Sequence, residues 1–317
     1  MSCSMTHVYL LGAGFTRAVI GERAPLTRDL MSKLKISKFP EIVDEYERAF
    51  PDIEQFLSTV DLRTLHFRQT NNSLSKRFDR IRQELIRQIV GLVDVDVLPV
   101  NDLEKVPVLR DFVKRIPNDS RILTLNYDCV LDQGLWLSDR WSPRGGYHLS
   151  SFPSDDKEND SKDRILLLKL HGSCNFKDVE DDQEYPNIEI TPKIFRGIYS
   201  QINSDANDSP HVLVMSYVKK FHNGIMRLWR KAIGALNEAE RLIIVGCSLR
   251  EEDTFLRFAL YHFGMKEKTD KFYVDIIDHR RENCEQIREK VKKLVACPDK
   301  QQIECFPDGL RAYLEQS

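Results

Sequence analysis

The chain has 317 residues, 41% hydrophobic and 30% charged, which is the composition of a folded globular protein and excludes a disordered or fibrous one. Its 47 Lys and Arg against 49 Asp and Glu leave a net charge of −2, without the basic excess of a dedicated nucleic-acid binder. No apolar run approaches the ~18 residues of a membrane helix, so no membrane partner is expected. The 7 cysteines form no CxxC pair, which argues against a zinc ribbon and a disulfide framework and for a reduced, cytoplasmic protein. No Lys or Arg precedes Val8–Leu11, so no secretory signal is expected.

The first apolar run, His7–Leu11, has strand length and leads through Gly12-Ala13-Gly14 into a helical pattern. From about residue 33 to 116 the patterns are helical, with no convincing strand. Within them Leu74, Phe78, Ile81, Leu85, Ile89 and Leu92 step by three or four along one helix face. Further strand-like runs fall at Arg121–Leu125, Arg164–Leu170, His211–Ser216, Arg241–Val245 and Phe272–Ile277. They are near-continuously apolar, as strands buried on both faces are. The acidic stretch Ser150–Asp163 and the stretch Ser204–Pro210 read as surface loops. Phe221, Ile225, Leu228, Ala232, Ile233 and Leu236 mark another amphipathic helix. This alternation predicts an α/β fold: a Rossmann-like, mainly parallel sheet with helices on both faces. The domain expectation is one unit over 1–317 with a helical insertion at about 33–116.

In such sheets ligands bind beyond the carboxyl ends of the strands, so the residues after each strand are the candidates. After the first strand, Gly12-Ala13-Gly14-Phe15-Thr16 suits a phosphate at a helix N-terminus, or is a tight turn; the third glycine of the dinucleotide fingerprint is replaced by Arg17. After the second come Asn126 and Asp128, two apart at the sheet mouth, or simply helix caps. After the third comes His171 beside Gly172. Gly246 and Ser248 follow the Arg241–Val245 run, where a plain turn is the alternative. Asp278 follows Phe272–Ile277 and either meets a ribose or ends the strand.

The ordered set Gly12-Ala13-Gly14-Phe15-Thr16, Asn126-Tyr127-Asp128, His171-Gly172-Ser173 and Gly246-Cys247-Ser248-Leu249 with Asp253 resembles the sirtuin superfamily. The resemblance is closest to the bacterial sirtuin-like branch whose members hydrolyse NAD in anti-phage defence. It covers about 270 residues, from Leu11 to roughly Asp278. The paired CxxC zinc module of deacylating sirtuins is missing, and their Gly-Ile-Pro-Asp-Phe-Arg stretch is replaced by Glu22-Arg23-Ala24-Pro25-Leu26-Thr27. Their Gln-Asn-x-Asp becomes Leu125-Asn126-Tyr127-Asp128.

The resemblance implies an NAD nucleosidase that releases nicotinamide and ADP-ribose and depletes NAD in abortive infection, with water as the nucleophile. It gives Asn126 the water or the ribose hydroxyls, and His171 a ribose hydroxyl or the water. Asp128 takes the nicotinamide side. Gly12, Ala13, Gly14 and Phe15 cradle the diphosphate, Ser248 and Asp278 contact the adenosine half, and Thr16 and Gly246 belong to the same NAD-binding set. No cofactor beyond NAD as substrate, and no zinc, is expected. Free NADase activity would harm its host, so the resemblance also implies restraint, through a homo-oligomer or a partner such as a translocase ATPase or an Argonaute-like protein. The alternatives are an NAD-dependent protein deacylase and a silent module that senses NAD or ADP-ribose. A nucleic-acid-binding role through Arg77, Arg80, Arg82 and Arg87 is weaker, because such a set is more often the solvated face of a helix.

Overall fold

The computed structural model describes residues 6–40, 42, 52–94, 103–147, 149, 165–179, 187–190, 211–213, 216, 223–263, 265, 272–295 and 301–316. The acidic stretch Ser150–Asp163 and the loop Ser204–Pro210 lie outside them, as does Phe221.

Six parallel strands form the main sheet: β1 (His7–Leu11), β2 (Arg121–Thr124), β3 (Leu166–Lys169), β7 (Arg241–Val245), β8 (Phe272–Ile277) and β9 (Gln301–Phe306). Their order is β3-β2-β1-β7-β8-β9. Counted within this sheet alone, the succession is that of the doubly wound dinucleotide fold, and the strand order reverses between β1 and β7. Val8, Leu10, Ile122, Leu123, Leu242 and Ile244 are fully buried, as strands covered on both faces require.

A second, three-stranded antiparallel sheet holds β4 (Gly172–Val179) between β5 (Asn187–Ile190) and β6 (His211–Leu213). Of the run expected at His211–Ser216, His211–Leu213 is a strand, but of this smaller sheet, and residues 214 and 215 lie outside the described residues. The sixth place in the main sheet goes to β9, whose alternating QQIECF does not announce a buried strand.

Helices α1 (Ala13–Ile20), α4 (Pro107–Arg115), α5 (Val130–Leu137) and α9 (Gly309–Glu315) pack together as one layer. The layer on the other side contains α6 (Asn223–Glu238), α7 (Thr254–Tyr261) and α8 (Arg281–Leu294). Between α1 and β2 the chain runs through the helical hairpin α2 (Ile53–Thr70) and α3 (Asn72–Val93). Asp52 caps α2 by accepting from the N–H groups of Glu54 and Gln55, and Asn71 caps α3. The stripe expected on α3 is its inner face: Phe78, Ile81, Leu85 and Ile89 are buried, while Arg77, Arg80 and Arg87 are exposed. Arg82 donates from Nε to the buried Asp61 on α2, at 2.6 Å, and so joins the two helices. Among the described residues no helix is long and apolar enough to cross a membrane.

Candidate active site at the sheet switch point

The loops after β1 and β7 meet at closer range than side chains would allow. The Gly12 N–H donates to the Val245 carbonyl (3.1 Å), the Gly14 N–H to the Gly246 carbonyl (3.0 Å) and the Phe15 N–H to the Gly12 carbonyl (2.9 Å). A Cβ on Gly14 would lie 2.7 Å from the Gly246 Cα, and one on Gly246, whose φ is 55°, would lie 2.4 Å from the Gly14 carbonyl carbon. The glycines thus serve the approach of two protein backbones, and three of the N–H groups expected to face a phosphate already have protein acceptors. Phe15 points away from the loops into the core, 1% exposed with its ring 4.8 Å from that of Phe112.

A cleft of about 900 Å³ opens beside this junction, at the upper end of the ~300–1,000 Å³ typical of ligand sites. Of the residues the sequence singles out, Gly12, Ala13, Gly14, Thr16, Asn126, Asp128, His171, Gly246, Ser248 and Asp278 line it, and Phe15 does not.

Asn126 is buried and donates through Nδ2 to the Gly12 carbonyl (2.9 Å) and to Thr16 Oγ1 (3.0 Å). Thr16 in turn donates to Asp128 Oδ2 (2.8 Å), and Asp128 Oδ1 accepts from the Val130 N–H at the start of α5 (3.0 Å). Burial pushes the Asp128 carboxyl above the usual range, against the pull of the Lys169 ammonium and the Thr16 and Val130 hydrogen bonds. Lys169, fully buried at the end of β3, donates to the Asp128 backbone carbonyl and lies 3.3 Å from both Asp132 carboxylate oxygens. Tyr147 donates its hydroxyl to Asp132 from the far side. Burial alone would lower the Lys169 pKa, but the charge of Asp132, with smaller contributions from its other neighbours, raises it, so the ammonium stays charged.

In the same cleft His171 Nε2 lies 2.9 Å from Asp253 Oδ2, both side chains 9% exposed. Asp253 also caps α7 through the Leu256 N–H (3.1 Å). The His171 ring sits between those of Tyr127 (6.3 Å) and Trp229 (6.2 Å). The wall is completed from the helical hairpin, by Asp52 and Glu54 at the start of α2. Arg250 bridges to them, with Nη2 2.5 Å from Asp52 Oδ2 and Nη1 3.6 Å from Glu54 Oε2.

The third rim is built by Arg17, which donates from Nη1 to the Ala24 carbonyl (3.2 Å) and to Asp29 Oδ2 (3.0 Å), holding the segment after α1 over the cleft. Ser248 is exposed, and its carbonyl accepts from Lys290 (3.1 Å). Asp278 Oδ1 accepts from the Arg280 N–H (3.1 Å) and the Asn283 side chain (2.8 Å), so this acid shapes the entry to α8.

Sequence reasoning named Asp253 only as part of a motif and did not select Asp52, Glu54 or Arg250. Nothing in the local pattern Asp52-Ile53-Glu54 distinguishes a solvated helix start from one folded over a cleft. The signal is in the long-range packing of the hairpin.

The family model for a SIR2-like domain matches residues 120–291, more than half of the chain. The chain belongs to the SIR2-like domain family. The matched segment carries Asn126, Asp128, His171, Gly246, Ser248, Asp253 and Asp278; Gly12–Thr16 and the α2–α3 hairpin of this SIR2-like chain lie before it. No curated protein matches the chain. Similar solved structures include one from work on the mechanism and regulation of Sir2 enzymes, 13% identical over 98% of this chain and 92% of that chain, with a TM-score of 0.42. Another is Sir2 with the inhibitor EX-527, 2′-O-acetyl-ADP-ribose and a deacetylated p53 peptide (13%, 98% and 91%, TM-score 0.37). A third is Sir2 bound to acetylated peptide (13%, 98% and 91%, TM-score 0.35).

Proposed function

We propose that this SIR2-like chain is an NAD hydrolase that cleaves the nicotinamide–ribose bond to give nicotinamide and ADP-ribose. The observation that carries the reading is that one cleft at the switch point is lined by both the Asn126–Thr16–Asp128 chain and the His171–Asp253 pair.

The bond to be broken joins an anomeric carbon to a pyridinium, so the leaving group departs neutral and needs no general acid, unlike the leaving group of an ordinary glycosidase. The protein has to hold the diphosphate, stabilise an oxocarbenium-like ribose and place a water. Asn126 donates both available amide hydrogens to Gly12 and Thr16, which leaves Oδ1 as the acceptor for the water or a ribose hydroxyl. His171 takes a proton from that water or hydroxyl, and Asp253, 2.9 Å from Nε2, offsets the charge it gains. As proposed, the reaction draws on no metal.

The chain is read as one domain carrying the helical insertion, in the NADase branch that acts in anti-phage defence. We further propose that its activity is restrained by self-assembly or by a partner such as a translocase ATPase or an Argonaute-like protein. The test is incubation of the purified protein with NAD, with and without an acetyl-lysine peptide, and chromatography of the products. Peptide-independent ADP-ribose formation, lost in Asn126→Ala and His171→Ala, supports the reading. Formation of O-acetyl-ADP-ribose only with peptide overturns it in favour of a deacylase.

A further inference from the structure

We propose that Lys169 is a positioning residue: its buried ammonium sets the place of the Asn126–Asp128 loop relative to His171, and with it the geometry of the reacting centre. The inference rests on the reading of the cleft as an NAD site and adds to it the group that aligns the two halves of that site.

The segment that carries His171 grips the loop that carries Asn126 at two consecutive carbonyls. From the end of β3, Lys169 Nζ donates to the Asp128 carbonyl. From the start of β4, the Cys174 N–H donates to the Tyr127 carbonyl at 2.8 Å and the Ser173 hydroxyl donates to the same oxygen at 3.3 Å. His171 lies between these donors in the sequence, so Asn126 and His171 project from segments that are fastened to each other. The three hydrogens of the ammonium all have takers on one stretch of chain: the Asp128 carbonyl, the Cys129 sulfur at 3.8 Å and the Asp132 carboxylate, with both oxygens at 3.3 Å. Asp132 stands in the first turn of α5, so Lys169 holds the loop and the start of the helix it feeds as one unit.

Packing alone does not call for a lysine at this place. Lys169 is 0% exposed, and a buried ion pair loses so much to desolvation that a well-packed apolar pair of similar volume is often as stable. What an apolar side chain cannot supply is a directed hydrogen bond to the Asp128 carbonyl. Asn126 already ties the other side of the loop to Gly12 and Thr16 through its amide, so the loop is held from β1 and from β3 at once. A reaction in which Asn126 Oδ1 and His171 act on the same water or hydroxyl needs that double hold, because a displacement of about 1 Å can cost on the order of a hundredfold in rate.

The test compares the full chain with Lys169→Met and with the double variant Lys169→Met, Asp132→Leu, by urea unfolding, amide hydrogen exchange and NAD turnover. The double variant leaves no unpaired charge and is expected to regain much of the stability that the single loses, but it does not regain the bond to Asp128. The amides to follow are those of Asn126, bonded to Thr124 Oγ1, and Val130, bonded to Asp128 Oδ1. In the double variant, without denaturant, they are expected to exchange at least about tenfold faster than in the wild type, while the amides of Val8 and Leu10 in β1 change only as far as global stability does. For NAD, kcat is expected to fall at least about thirtyfold with KM within about threefold. Wild-type exchange and kcat in a double variant of regained stability overturns the proposal. So does a double variant that gains nothing over the single, because Lys169 would then serve stability. Loosening of β1 as large as that of the loop overturns it as well. Absence of NAD turnover and of NAD and ADP-ribose binding in the wild type overturns the NAD reading itself, and the exchange comparison still decides whether Lys169 holds the loop.

Discussion

His171 Nε2 and Asp253 Oδ2 lie 2.9 Å apart although the two residues follow strands separated by two others in the sheet, His171 after β3 and Asp253 after β7. Asp253 is fixed independently of the histidine, because its other oxygen caps α7. The pair places a carboxylate beside the imidazole, where it would offset the charge of a protonated ring.

Asp253→Asn keeps the cap and removes the charge. If His171 acts as proposed, the variant loses at least about a hundredfold in kcat for NAD with KM within about threefold, since the lost interaction grows as the imidazole becomes charged. Steady-state kinetics reads this directly. A variant with wild-type kcat would leave the pair a purely structural one.

Two glycine substitutions, one at the Gly14–Gly246 backbone contact and one on α3, are expected to have opposite signs. Gly246→Ala must adopt φ 55° with its Cβ against the β1–α1 loop, and is expected to cost roughly 2–4 kcal/mol. Gly91 lies exposed on α3 with nothing within 4 Å of an added Cβ, so Gly91→Ala is expected to stabilise by up to ~1 kcal/mol through helix propensity. Urea unfolding midpoints at constant slope measure both; a tolerated Gly246→Ala would mean that the two loops move apart freely.

The same residues show what the sequence discloses. The parallel sheet was legible because β1, β2, β3, β7 and β8 are continuous apolar runs, a pattern that burial on both faces imposes. β9 alternates polar and apolar as the last strand of the sheet, and β4 contains Gly172, Asn175 and Asp178, so neither read as a strand. At the site, residues directly after strands could be named, since topology alone takes them to one edge. Glu54 and Arg250 meet only because a hairpin from the insertion folds back over that edge, and a contact across 196 residues leaves no local trace. The glycines were visible, but whether they admit a phosphate or a second backbone depends on what packs beside them.

Lys169 and Asp132 form an ion pair beneath the Asn126–Asp128 loop, at 0% and 2% side-chain exposure. Removing one partner strands a buried charge, so Lys169→Met is expected to destabilise by ~3–5 kcal/mol. The double variant Lys169→Met with Asp132→Leu should recover a large part of that loss, because no unpaired charge remains, although the Tyr147 hydroxyl then loses its acceptor. Denaturant unfolding of the two singles and the double closes the cycle. Additive losses would show that the pair does not act as a unit.

Glu54 gives a prediction for stability that depends on pH. Because burial raises its pKa, the ionised carboxylate is disfavoured in the folded chain relative to the unfolded one. That penalty is full above the folded pKa, shrinks as pH falls through it, and is absent below the ordinary value of 4.5 for a free glutamate. Glu54→Gln, which has no charge to bury, should therefore melt at a higher temperature than the wild type at pH 7, and the difference should vanish near pH 4. Thermal unfolding at the two pH values checks the sign. A Glu54→Gln protein less stable than the wild type at pH 7 would mean that Arg250 and His171 together outweigh the cost of burial.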